Sequence, residues 1–445
     1  MAYIITRRRF IQASAAAAAV TAYGPYSSFG KGPNEKLNVA CVGVGGRGAD
    51  DLGGVLGENV VAVCDIDDKN LDHAGRRAPN AQKFNDYRVM LDKVHKEIDA
   101  IVVATPDHMH GMIASAGMQL GKHAYVEKPL CHNVFECRVL AKLAKKHKLA
   151  TQMGTQIHAG DNYRRVVELI QAGAIGNVSE VHVWVGKSWA DGRHPEGKGI
   201  EPPKNLHWDL WHGGAPYRPY TPNTYHPGNW RRFWDYGTGT LGDMACHYSD
   251  VAFWALDLKW PTTVVSDSPD KVHPDGTANN LRVEMEFPAR GKMPACKYFW
   301  YDAARRPDLI SQDKVIVGGK PAKWGSGVLF VGDKGMLLCD YGQRFLLPED
   351  NFKEFKAPEP TIAKSIGHHA EWIKACKDGS PTTCNFDYSG ALSETVLLGN
   401  VAFRVGKKIQ WNGEEMKITN APEADQYIRE EYRKGWALSG VEGLV

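Results

Sequence analysis

Val39-Ala40-Cys41-Val42 runs directly into Gly43-Val44-Gly45-Gly46-Arg47-Gly48, and a second apolar run, Val60-Val61-Ala62-Val63-Cys64, ends on Asp65. The first run has the length and composition of a short buried strand, and residues 50–56 open a helix behind it. Gly43, Gly45 and Gly48 give G-x-G-x-x-G at the strand's carboxyl end. Asp65 follows Gly43 by 22 positions, against the ~20 of a dinucleotide-binding fingerprint. Gly43 permits the tight turn, Gly45 lets the backbone approach a pyrophosphate, and Gly48 lets helix and strand pack closely. Gly46 and Arg47 stand at the helix N-terminus, whose unpaired N–H groups suit phosphates. Asp65 can accept hydrogen bonds from a ribose diol and would repel a 2′-phosphate, which favours NAD over NADP. In a chain with 46 glycines the bare motif is weak. Strand, turn, helix, strand and acid in register make it strong.

At 445 residues the chain exceeds the usual size of a single core, so two domains are expected. It is 43% hydrophobic and 24% charged with a formal charge of +3, and Lys and Arg form no long block beyond the N-terminus. That balance calls for no nucleic-acid partner. Nine cysteines, without C-x-x-C or metal-ligand spacing, argue against a disulfide framework. A Cys376–Cys384 bridge is compatible with the spacing but nothing supports it. Cys41 and Cys64 fall inside the two strands, where cysteine acts as a small hydrophobe.

Residues 1–30 read as a targeting segment. Thr6-Arg7-Arg8-Arg9-Phe10-Ile11 resembles the twin-arginine export signal, and residues 13–20 form a small apolar stretch too short to span a bilayer. Residues 31–36 belong to a Gly-, Pro- and Ser-rich linker or arm that begins near Tyr23. Export by this route carries folded proteins, so a nucleotide-dependent enzyme sent that way is expected to hold its dinucleotide tightly and regenerate it in place.

Residues 37–155 alternate strands and helices. Further strands are read at residues 99–104, which run into Thr105-Pro106-Asp107-His108-Met109-His110, at residues 123–126, which end in Glu127-Lys128-Pro129, and at residues 149–153. Asn133 and Glu136 form a capping-box pair for the helix that follows. Such βα units make a parallel sheet with ligands at the carboxyl ends of its strands. Gly43–Gly48, Asp65, Thr105–His110 and Glu127–Pro129 then line one crevice. Residues 156–445 differ in composition. A helix is read from Asp161 to about Gly173, and Val181, Val183 and Val185 alternate with His182 and Trp184, which predicts a strand with one valine face and one more polar face. Residues 187–236 read as long loops. More strands are expected at residues 282–287, 296–301, 315–317, 327–331 and 335–339, and helices at 366–377 and 389–404. All thirteen Trp lie after residue 180. Those at 184, 189, 208, 211, 230 and 234 suit either sugar stacking or core packing.

Two further groups carry chemistry. Lys128, where a strand meets the crevice, can hydrogen-bond a substrate oxygen, although taken alone a surface lysine is the simpler reading. Gly237-Thr238-Gly239-Thr240-Leu241-Gly242-Asp243-Met244-Ala245-Cys246-His247-Tyr248 reads as a loop feeding a helix. Asp243 and His247 stand at i and i+4, on one face. A His can take a proton from an alcohol while the carboxylate orients it or stabilises its charge. As an isolated pair they read better as a helix-terminal acid and a buried histidine. His108 and His110 form H-x-H, but a metal needs three or four convergent ligands, and the reading is loop residues over a nicotinamide, with no metal.

The fingerprint, Ala104-Thr105-Pro106 with His110, Glu127-Lys128-Pro129, and the Gly-rich Asp243-x-x-x-His247 segment together resemble the Gfo/Idh/MocA oxidoreductases over about residues 37–411. The resemblance implies an α/β protein: an N-terminal Rossmann domain, then a C-terminal α/β domain with a large, mostly antiparallel open sheet used for oligomerisation. It implies NAD or NADP and substrates that are sugars, glycosides or polyols. It makes Lys128, Asp243 and His247 the catalytic residues and the Lys128–Pro129 bond cis. Gln156, Trp230, Arg231 and Tyr248 are candidate substrate contacts. Gly237-Thr238-Gly239 departs from the three glycines of many relatives. Three readings follow: a sugar dehydrogenase, a redox-neutral glycoside-cleaving enzyme working through a transient keto-sugar, and a non-catalytic sugar-binding protein on the same fold.

Overall fold

The apolar run at residues 38–42 becomes an inner strand because both of its faces are covered by helices. A computed structural model of the chain describes residues 35–189 and 192–442. The expected export signal at residues 1–30 lies outside them, as does nearly all of the arm at residues 23–36. Strands β1 (Asn38–Val42), β2 (Asn59–Cys64), β3 (Gln82–Phe84), β4 (Ala100–Val103), β5 (His123–Val126) and β6 (Thr151–Met153) form a six-stranded parallel sheet. Its order is β3-β2-β1-β4-β5-β6, so the order reverses between β1 and β4 and opens a crevice there. Asn133 caps the helix Val134–His147 by accepting from the Glu136 N–H at 3.0 Å. The return bond reaches one residue further back than a capping box, from the His132 N–H to Glu136 at 3.1 Å.

His108 and His110 are not in a loop. They occupy the first turn of the helix Asp107–Gln119, which is buried on every side from Asp107 to Met118. A helix enclosed all round has no polar stripe, so periodicity cannot reveal it.

The second sheet has nine strands in the order β15-β14-β13-β7-β10-β9-β8-β16-β17. They are β7 (Val178–Trp184), β8 (Thr263–Asp267), β9 (Arg282–Phe287), β10 (Cys296–Tyr301), β13 (Gly327–Gly332), β14 (Gly335–Cys339), β15 (Arg344–Leu347), β16 (Ile409–Asn412) and β17 (Lys417–Ile418); the short β11 (Ile316–Val317) and β12 (Lys320–Pro321) pair separately. Only β7 and β10 run parallel, so the sheet is mixed and mostly antiparallel as expected. The helix Phe386–Val405 lies over one face and also packs on Val134–His147, where Arg138 pairs with the buried Glu394. The other face of β7 is not polar: Trp184 is fully buried, donates to the Trp324 carbonyl at 3.0 Å, and packs with Phe299, Leu329 and Leu338 under residues 310–322. His182 stacks on Phe299 with ring centroids 4.7 Å apart.

The aromatics of residues 187–236 pack mainly on one another. Trp208 and Trp211 stack at 4.7 Å and share a small core with Tyr225, Trp230, Phe233 and Tyr236. The nine cysteines are all unpaired and buried, so Cys376 and Cys384 form no bridge. Among the described residues no helix is long and apolar enough to cross a membrane.

Candidate active site

The crevice begins at the glycine loop. Gly43 adopts φ +76°, and a Cβ there would lie 2.7 Å from the Ala104 carbonyl oxygen. A Cβ on Gly48 would come within 1.9 Å of the Gly43 oxygen, so turn, helix and β4 pack backbone to backbone. Gly46, with φ +50°, has open space beside it. It precedes the helix Arg47–Val55, which has no side-chain cap, and the N–H groups of Gly46 and Arg47 meet no acceptor among the described residues. A cradle of free donors at a helix N-terminus fits a dinucleotide's phosphates. At Gly45 a Cβ would instead strike the Asn70 side chain, at 2.4 Å.

Asp65 is almost fully buried at the end of β2. Its carboxylate accepts from the Val44 N–H at 2.9 Å, the Asp67 N–H at 2.9 Å and Asn70 Nδ2 at 3.2 Å, so it braces the glycine loop before any ligand arrives. Oδ2 takes only the Val44 bond and keeps capacity for a ribose hydroxyl. Burial raises the carboxyl, and the two backbone bonds oppose that shift. A segment of residues 203–226 is stapled over this end of β2. Asn205 Nδ2 donates to Asp67 at 2.7 Å, the Asp68 N–H donates to the Asn205 carbonyl at 2.9 Å, and the His207 N–H donates to the Ile66 carbonyl at 2.9 Å.

Arg47 turns inward, with Nε 3.3 Å from Glu127 Oε1 and Nη2 3.1 Å from Asp51 Oδ1. Glu127 also accepts from Gln156 Nε2 at 2.6 Å, and the same amide donates to the Tyr125 hydroxyl at 2.8 Å. Burial lifts the Glu127 carboxyl, with Asp51 adding to the lift. Gln156, expected as a substrate contact, is therefore engaged in holding Glu127. Thr105 faces the crevice side of β4 with its Oγ1 buried and unpartnered, a donor still to be used. Pro106 stands at the N-cap of the following helix. His110 bridges the carbonyls of Pro129 and Thr105, both at 2.8 Å, and His108 Nε2 lies 3.1 Å from the Trp211 carbonyl. His110 thus ties the ends of β4 and β5 together and His108 ties its helix to the helix Trp208–His212, neither ring presenting a surface. Burial lowers both, His108 to about 3.

The Lys128–Pro129 peptide is cis, and Lys128 Nζ lies 2.6 Å from Asp243 Oδ1 and 2.9 Å from the Asp243 carbonyl. This pair joins the segment that follows β5 to the helix Gly239–Tyr248 across the crevice. Asp243 is the hub of the site. Arg231 Nε reaches Oδ1 at 3.1 Å, while Lys187 Nζ and Trp189 Nε1 reach Oδ2 at 2.9 and 2.7 Å. Burial alone would raise this carboxyl, but Lys128, Arg231 and Lys187 hold it well below the usual carboxylate range. It is a fixed anion, not a proton carrier.

His247 sits one turn on in the helix Gly239–Tyr248 and has no hydrogen-bond partner among the described residues. The expectation that Asp243 orients it is corrected: both oxygens of Asp243 are spent on cations and an indole. Burial, then the Lys128 charge, brings the imidazole down to about 3. It is therefore neutral at pH 7, with a ring nitrogen free to accept a proton. The helix is positioned by Thr238, whose hydroxyl donates to Asp107 at 2.6 Å and whose carbonyl accepts from Asn400 Nδ2 at 2.9 Å. The residue that breaks the run of three glycines thus locks the site helix to the helix Asp107–Gln119 of the Rossmann domain. Trp230 is buried with its Nε1 on the Pro227 carbonyl at 3.2 Å, so its place is in the aromatic core. Tyr248 is half-buried and stacks on Tyr341 at 4.6 Å. Lys187 was not singled out in the sequence, and Trp189 only as one of six tryptophans suited to sugar stacking or core packing. The signal was their place at the exit of β7, where sequence showed only a loop.

Residues 37–155 match the Gfo/Idh/MocA model described as an oxidoreductase family with an NAD-binding Rossmann fold, and residues 163–293 match the model of that family's C-terminal alpha/beta domain. Inositol 2-dehydrogenase 1 of Saccharopolyspora erythraea is 35% identical over 156 residues, 33% of this chain and 44% of that protein. A glycosyl hydrolase family 109 protein of Solibacter usitatus is 28% identical over 250 residues, 49% of this chain and 48% of that protein. The chain thus spans about half the length of these relatives. Among solved structures, the WlbA dehydrogenase of Bordetella pertussis, in complex with NADH and UDP-GlcNAcA, shares the fold with TM-score 0.58 at 17% identity, over 85% of this chain and 99% of that one.

Proposed function

The chain belongs to the Gfo/Idh/MocA family of oxidoreductases, and on that footing we propose that it transfers a hydride between a hydroxyl-bearing carbon of a sugar or glycoside and a tightly held nicotinamide dinucleotide. The observation that carries the reading is the Lys128–Asp243 bond of 2.6 Å at the crevice, with the unpartnered, neutral His247 one turn away. His247 takes the hydroxyl proton. Lys128 Nζ, held by Asp243, donates to the same oxygen and stabilises the alkoxide as it develops. Gly43–Gly48 and Asp65 would hold the dinucleotide, which when bound supplies the hydride acceptor. NAD rather than NADP is supported by Asp65, Asp67 and Asp68 at the end of β2, where a 2′-phosphate would meet carboxylates. The staple of residues 203–226 over that end supports tight retention. The Arg7-Arg8 segment supports export by the twin-arginine route with the nucleotide already loaded, and the wide C-terminal sheet supports a homo-oligomer.

The test is to release and identify the co-purified nucleotide, then add sugars and glycosides to the loaded protein and follow nicotinamide absorbance. His247→Ala is expected to keep its nucleotide and lose turnover; retained turnover refutes the assignment. The relative from Solibacter usitatus, matched over 250 residues, favours a second reading, a redox-neutral cleavage that begins with the same oxidation. Deuterium uptake from solvent beside the oxidised carbon, with release of the aglycone, would replace the first reading with that one.

A further inference from the structure

The crevice carries more positive charge than hydride transfer requires. Lys128, Lys187 and Arg231 all bond to the one carboxylate of Asp243. The neighbouring acids Glu127 and Asp51 are engaged by Arg47, and His247 is neutral. Among the described residues one anion therefore faces three cations. A neutral sugar brings hydroxyl acceptors but no compensating charge, and partly desolvated cations without a counter-charge are costly.

The three cations are not equivalent. Lys128 is enclosed, with its side chain 12% exposed, whereas Arg231 is 24% and Lys187 45% exposed. The latter two stand on the open side and approach different oxygens of Asp243. Both are laid on indole faces. Lys187 Nζ is 4.7 Å from the Trp189 ring centre, and the Arg231 guanidinium carbon is 4.1 Å from that of Trp230 and 5.3 Å from that of Trp189. Such contact orients a cation without consuming its N–H groups. Arg231 uses Nε on Asp243 and Nη1 on the Gly228 carbonyl, at 3.3 Å, and its Nη2 meets no acceptor among the described residues. Among the described residues Lys187 gives one proton to Asp243, with only the Met244 sulfur at 3.7 Å besides. Each keeps donors in hand.

We infer that Lys187 and Arg231 form an anion receptor at the mouth of the crevice, and that the sugar oxidised here bears an acidic group, a carboxylate or a phosphate. This rests on the reading of Lys128 and His247 as the groups that act on the sugar hydroxyl. The acidic group docks on the exposed pair while the hydroxyl to be oxidised reaches the enclosed pair.

The experiment uses the nucleotide-loaded full chain and matched sugars: D-glucose, D-glucuronate and D-glucose 6-phosphate, and the corresponding galactose trio. Turnover is read from nicotinamide absorbance and binding from calorimetry. The acidic member is expected to exceed the neutral one by about tenfold or more in kcat/KM and in affinity, the size of one charge-assisted hydrogen bond. The uronate and phosphate arms separate the two sources of charge. Lys187→Met and Arg231→Met are each expected to cut that preference by about tenfold, and Lys187→Arg to keep it. Equal or better use of neutral sugars overturns the inference while leaving hydride transfer standing. So do variants that lower acidic and neutral sugars by the same factor. Tight binding of an acidic sugar without oxidation keeps the receptor and refutes the hydride-transfer reading. Neither binding nor oxidation refutes both.

Discussion

Lys128→Met separates the two tasks that the geometry assigns to one ammonium group. The lysine bonds Asp243 at 2.6 and 2.9 Å, and without it Asp243 still holds Arg231, Lys187 and Trp189, so the carboxylate is not left as a bare buried charge. The fold should survive and the nucleotide stay bound. The lost donor to the developing alkoxide is worth about 3–4 kcal/mol, or roughly 10²–10³ in kcat. A second effect runs through His247. After burial, Lys128 is the largest influence holding that imidazole at about 3. Without this charge the imidazole moves up toward its usual value of about 6.5. The base works unprotonated, so a higher pKa means loss of activity at a higher pH. The native protein should keep kcat/KM level on the acid side down to about pH 4, while the variant's acid limb should lie at a higher pH, short of the usual imidazole value because burial still lowers it. The assay is kcat/KM against pH by nicotinamide absorbance, with nucleotide content checked at each end. A variant within about tenfold of the native rate, or one with an unshifted acid limb, refutes the role given to Lys128.

Gly48→Ala puts a Cβ 1.9 Å from the Gly43 oxygen, a backbone atom that cannot swing aside; about 1–3 kcal/mol of overpacking is expected, lowering nucleotide affinity roughly 10- to 100-fold, and full occupancy in the purified variant would refute it. Thr238→Val removes the 2.6 Å bond to the buried Asp107; urea unfolding should show a loss of about 1–3 kcal/mol that Thr238→Ser largely restores. Glu430 lies 2.8 Å from His132 and, against the lowering effect of burial, lifts that imidazole to about 9. A raised histidine stabilises fully below its unfolded value of about 6.5, and the gain is lost as pH rises through about 9. Glu430→Gln should therefore trail the native protein by about 1–3 kcal/mol at pH 6 and match it by about pH 10, a gap unchanged at pH 10 being the contrary result.

Some of this protein is determined by residues close together in the chain. The glycine loop, the strands at both of its ends and Asp65 are local events: steric freedom at Gly43 and Gly48, apolar runs of strand length, and an acid at a set distance. Lys128, Asp243 and His247 also lie in short motifs, but taken alone these read as a surface lysine, a helix-terminal acid and a buried histidine, and only the family resemblance pointed to chemistry. What those residues do to one another was not legible. Spacing of i and i+4 places Asp243 and His247 on one side of a helix, but only the fold brings Lys128, Lys187 and Arg231 around Asp243. Ion pairs in a buried place outcompete a neutral imidazole, so the carboxylate became a clamp for cations and His247 was left open. The helix at Asp107 and the buried second face of β7 escaped for a related reason: an element enclosed on all sides carries no polar stripe from which its period can be read. The chain's local chemistry thus decided the glycine loop and set a lysine, an aspartate and a histidine in short motifs. Charge brought together from segments distant in sequence decided which of those groups are tied up and which remain free to act.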